Sequence, residues 1–72
     1  VYDAKELTRY LNQFLKGLSK EDRYLFMRRY WYGDKISDIA DNLNITAHKA
    51  SVRLFRLRQK LQDYLQKEGL IA

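Results

Sequence analysis

Five basic side chains, Lys49, Arg53, Arg56, Arg58 and Lys60, fall within residues 42–62, and no acidic residue interrupts them. The chemistry open to such a set is capture of a polyanion by ion pairs and charge-assisted hydrogen bonds. On a helical wheel, His48, Lys49, Val52, Phe55, Arg56 and Gln59 share one face, with Ser51, Arg53, Arg58 and Lys60 on its flanks. Val52 and Phe55 stand out there, because a merely solvated face has no use for apolar side chains. In a DNA groove they could meet thymine methyls while Arg56 or Lys49 reaches guanine edges or phosphates. The competing readings are a Phe55 folded back on a neighbouring helix and a basic face that is simply hydrated. His48 stands near a helix start and reads as a phosphate or base contact.

Catalysis finds little to work with. No nucleophile–base pair, metal cluster or phosphate-cradling loop is present, so neither enzymatic activity nor a cofactor is expected. One His and no Cys exclude a structural zinc site of the usual kind and a disulfide framework. No apolar run reaches the roughly 18 residues of a membrane span, and no export signal is visible. A cytoplasmic protein is expected, with no membrane partner.

Charge placement says more than its total of +5. Residues 1–41 carry eight bases and seven acids, a net of +1, while residues 42–62 carry +5 and residues 63–72 carry −1. Nearly all the excess therefore sits on one segment, as a polyanion binder requires. A chain of 72 residues makes a single domain with a modest core. The first residue is Val1 rather than Met, so residues 1–72 read as a piece of a larger protein.

The elements that must position this face read as helices throughout. Pro is absent, and apolar residues recur at three- and four-residue steps. Asp3 and Glu6 have capping-box spacing ahead of a first helix over residues 4–16, whose apolar face is Leu7, Leu11, Phe14, Leu15 and Leu18. Gly17 stops it. Ser19 caps a second helix running to Trp31 or Tyr32, with Leu25 and Phe26 as core and Gly33 as left-handed stop. The RRYWY run at residues 28–32 has a bland reading, in which Tyr30 and Trp31 are partly buried beside snorkelling arginines. It also has a functional one, a surface for a protein partner.

Asp34 is expected to cap a short third helix through Asn42, burying Ile36 or Ile39 with Ala40 and Leu43. Asn44 takes the left-handed turn position, Ile45 plugs the turn into the core, and Thr46 caps a fourth helix over residues 47–67. Ala50, Leu54, Leu57, Leu61, Tyr64 and Leu65 form its buried stripe. Leu70 and Ile71 either dock on the core or fray. The fold expected is all-α, a small four-helix domain containing a helix–turn–helix, and a monomer suffices.

Residues 18–65 resemble region 4, the C-terminal domain of sigma-70 family factors, most nearly those of the extracytoplasmic-function-like group. The likeness lies in the Leu-to-Arg run leading into RRYWYG, then IADNLNIT, then SVRLFRLRQKL. It implies binding of double-stranded promoter DNA at the −35 element through the last helix. It also implies contact with the RNA polymerase core at the β-subunit flap, and it admits an anti-sigma factor as a further partner. Carried across, it implies base and phosphate contacts at Ser51, Val52, Phe55 and Arg56, with Arg53 and Lys49 beside them and Lys35 on phosphate. This chain departs from the pattern at Asn44 for a turn Gly, Ala50 for Val or Ile, Val52 for a small polar residue, and Ser19 for Pro.

Two rivals remain at this level. A LuxR-like output domain shares the helix–turn–helix but dimerises through its last helix and lacks the Arg53, Arg56, Arg58 spacing. A basic-helix protein-interaction module would bind an acidic partner or a membrane surface, without dependence on DNA sequence.

Overall fold

The computed structural model describes residues 4–69. Their order is α1 (Ala4–Lys16), α2 (Lys20–Tyr30), α3 (Ile36–Leu43) and α4 (Ala47–Lys67), with no strand among the described residues. The architecture is thus all-α, with α3, its turn and α4 forming the helix–turn–helix. Asp3, expected as a cap, and Leu70 and Ile71, expected either to dock or to fray, lie outside the described residues.

Local signals set most of the boundaries. The Ser19 hydroxyl accepts from the Asp22 amide at 3.2 Å, which satisfies one orphan donor at the start of α2. Thr46 does the same for α4, its Oγ1 accepting from the Lys49 amide at 3.1 Å. Between them, Asn44 adopts φ 57°, ψ 40°, the left-handed conformation. That lets the Ile45 amide donate to the Ala40 carbonyl at 3.0 Å and the Asn44 amide to Asp41 at 3.2 Å, a Schellman closure. Ile45 follows directly and packs against the core.

Three boundaries differ from expectation, the slightest being the end of α3, which runs one residue past Asn42 to Leu43. The second helix ends at Tyr30, one residue short of Trp31. The third is preceded by Lys35 in the cap position, with no side-chain capping bond, and not by Asp34. The reason is a competing partner. The Asp34 carboxylate takes Arg28 Nε at 2.6 Å, while its carbonyl accepts from Arg29 Nη1 at 3.0 Å. Asp34 therefore completes the end of α2 instead of opening α3.

The core is Leu25 of α2, Ile39 and Ala40 of α3, and Ala50, Leu54 and Leu57 of α4. Ala40 and Ala50 are both fully covered, so the two helices of the motif meet through small side chains. Leucines buried this way are each worth about 1.5–3 kcal/mol, and the core has few of them. A second, aromatic cluster brings α1 in: Phe14 packs edge-on to Phe26 at 6.2 Å between centroids and against Tyr64 at 5.7 Å. The Tyr64 hydroxyl donates to Gln13 Oε1 at 3.1 Å. Leu61, Tyr64 and Leu65 are only half-buried, because the stripe on α4 outruns α2 and α3 and is covered there by α1. Leu7, expected on the apolar face of α1, is exposed.

Candidate nucleic-acid interface

With Ala50, Leu54 and Leu57 held inward, the other side of α4 faces solvent. His48, Lys49, Ser51, Phe55 and Arg56 are exposed, and Val52 is half-buried. Phe55 does not fold back on a neighbour: 55% of its surface is open. A shallow depression of about 370 Å³ is lined by Ile45, His48, Lys49, Val52, Arg53 and Arg56. The structure thus brings five of the eight expected contact residues onto one wall. Ser51 and Phe55 are exposed on α4 outside that depression, and Lys35 stands exposed at the start of α3. Among the described residues no group of three or more His, Cys, Asp or Glu side chains could hold a metal ion.

Arg53 differs from its neighbours. Its Nη2 reaches Asp22 Oδ1 at 2.6 Å and its Nη1 reaches Glu21 Oε2 at 3.3 Å, both in the first turn of α2. Only 28% of the side chain is exposed. The hydrogen bond with Asp22 raises the guanidinium pKa above its ordinary value, against the opposing effect of burial. The expectation of a contact beside Arg56 therefore meets a guanidinium already facing α2. The pair spans 31 residues, and no local signal in the sequence joins its members.

A second surface escaped the bland reading of residues 28–32. Trp31 is 77% exposed with Tyr32 exposed beside it, whereas Tyr30 packs on Phe26 at 4.9 Å between centroids, so the bland reading holds for Tyr30 and not for Trp31. Trp31 and Tyr32 lie outside the core because Gly33, at φ +73°, and the Arg28–Asp34 pair turn the chain away at this point. The Arg28 guanidinium, its pKa raised by the hydrogen bond with Asp34, stacks 4.4 Å from the Tyr32 ring. Next to them opens a strongly apolar groove of about 660 Å³, with Leu11 and Leu15 of α1, Phe26 of α2, Trp31, and Arg58 and Leu61 of α4 in its walls. The two surfaces share no lining residue. Arg58, expected on the flank of the basic face, belongs to the groove.

A four-helix fold whose last helix is the second helix of a helix–turn–helix, basic and apolar on its outer side, suits a DNA-binding domain. The chain belongs to the family described as Sigma-70, region 4, whose pattern matches residues 8–61. It is accordingly a DNA-binding domain of transcription initiation, with promoter DNA and the RNA polymerase core as partners, and its family is not one of enzymes. No curated protein matches the chain. No helix of the described residues is long and apolar enough to cross a membrane.

Proposed function

We propose that this domain reads the −35 element of promoters as the C-terminal part of an extracytoplasmic-function-like sigma factor acting in the cytoplasm. The outer face of α4 enters the major groove. Val52 and Phe55 meet thymine methyls, Arg56 takes a guanine edge, and Ser51, His48 and Lys49 complete the contacts, with Lys35 on a phosphate. The observation that carries this reading is the exposed Phe55 beside Arg56, on a helix whose opposite face is fully engaged in the core. The fold leaves more than half of Phe55 open, and a DNA groove would cover it.

The apolar groove beside Trp31 is the proposed seat of the β-subunit flap, and it is also where an anti-sigma factor would compete. Both surfaces exist on one copy, so a monomer suffices. The LuxR-like alternative draws no support from the packing. It needs the last helix free for a second copy, and here Tyr64 is covered by Tyr10, Phe14 and Gln13 of α1.

Selection of bound duplexes from a random pool, with the domain presented on RNA polymerase, tests the reading. One enriched sequence is expected, and Phe55→Ala should flatten the preference at a thymine position within it. Recovery of a random pool by the parent domain would sink the proposal and favour a sequence-blind basic module.

A further inference from the structure

Arg53 lies between Val52 and Arg56 on α4 and lines the same depression, yet its guanidinium is turned to two carboxylates of α2. Glu21 and Asp22 sit in the first turn of α2, where the positive end of the helix favours negative charge. Asp22 is held in place by the Ser19 cap on its own amide. Two acids already engage the Arg53 guanidinium, so it has little left to offer a phosphate, while Arg56 and Lys60, which line the same corner, stay available. Arg53 and Asp22 keep about a quarter of their side chains exposed and Glu21 most of its own, so solvent screening limits what the cluster contributes to stability. Its geometric effect is larger. It ties α4 to α2 ionically, and it falls level with the side chains proposed to read bases. On a helix of about 5–6 Å radius, a roll of about 10° moves a side-chain tip by about 1 Å, enough to spoil a bidentate hydrogen bond.

We infer that Arg53 is a positioning residue that sets the roll of α4 against α2, and hence its discrimination between DNA sequences, without itself contacting DNA. A corollary follows for Asp22 and Glu21. By holding Arg53 they also withhold one positive charge from the phosphate backbone and limit sequence-blind binding. The inference rests on the outer face of α4 being the reading surface.

The test compares the parent chain with Arg53→Ala, Asp22→Asn and, as a phosphate-contact control, Lys49→Ala. Each is titrated with the selected duplex and a scrambled duplex across a salt series. Arg53→Ala is expected to keep the parent's salt dependence while lowering the ratio of selected to scrambled affinity about tenfold, comparable to losing one good base contact. Asp22→Asn releases Arg53, so it should lower the same ratio while raising scrambled-duplex affinity and steepening the salt slope. Lys49→Ala should reduce the slope by about one and leave the ratio nearly unchanged. Arg53→Lys, which keeps the charge and one bond to Asp22, should restore part of the ratio.

If Arg53→Ala instead behaves like Lys49→Ala, Arg53 is a phosphate contact and the inference is overturned. An unchanged ratio in Asp22→Asn overturns it too, and that variant decides the matter should Arg53→Ala lose its helical circular dichroism. A parent chain that fails to discriminate the two duplexes overturns the reading surface itself, a result distinguishable from either.

Discussion

Arg53 and Arg56 are three positions apart and chemically identical, yet the fold gives them different surroundings. Arg56 is exposed on the wall of the depression, whereas Arg53 faces Asp22 and Glu21. Counting bases along residues 42–62 could not separate them, because the acids that claim Arg53 come from another helix. Wheel position did identify Phe55 as outward-facing, since that follows from 3.6-residue periodicity alone. At this scale the expected outcome concerns Arg56. Arg56→Ala should weaken binding to the selected duplex by about 1–3 kcal/mol and relax the preference at one base pair. Anisotropy titrations against singly substituted duplexes measure both effects. Uniform binding of every duplex by parent and variant alike would remove Arg56 from the reading set.

At the scale of the element, the turn between α3 and α4 was the most legible part of the chain. Asn44, Ile45 and Thr46 act through their immediate neighbours, so sequence alone carried the left-handed residue, the plug and the cap. Asp34 shows the limit of such local reading. Its type suits a helix cap, but Arg28 and Arg29 take its oxygens first. Because Asn44 occupies the left-handed region with φ 57°, Asn44→Ala should cost about 1–2 kcal/mol while Asn44→Gly should be nearly neutral. Urea denaturation followed by circular dichroism distinguishes them. Equal stability of the two variants would mean that the turn relaxes to another conformation.

Across the whole molecule, what sequence could not convey was which apolar side chains remain uncovered. The aromatic run at residues 28–32 has a composition equally suited to packing or to display. Only the placement of α1 over the far half of α4 leaves Trp31 beside an open groove. Trp31→Ala should therefore leave stability within about 0.5 kcal/mol of the parent, as for other surface positions. If Trp31 anchors the polymerase contact, the same change should weaken that association by about 2 kcal/mol or more. Thermal melts and titration with the polymerase core measure the two effects, and DNA affinity of the isolated chain should not move. A large drop in melting temperature with unchanged polymerase affinity would return Trp31 to the core.

Both surfaces take residues from α4: Arg56 lines one and Arg58 the other. This helix is 21 residues of unbroken backbone hydrogen bonding, about 30 Å of stiff rod. If the enzyme holds the groove and the double helix the outer face, as proposed, this helix acts as a ruler between them. Moving the DNA site along its axis by one base pair, about 3.4 Å, cannot be absorbed by bending α4. On that reading the slack comes from the connection to the rest of the initiation machinery, and tolerance of promoter spacing is expected to depend on that connection more than on this domain.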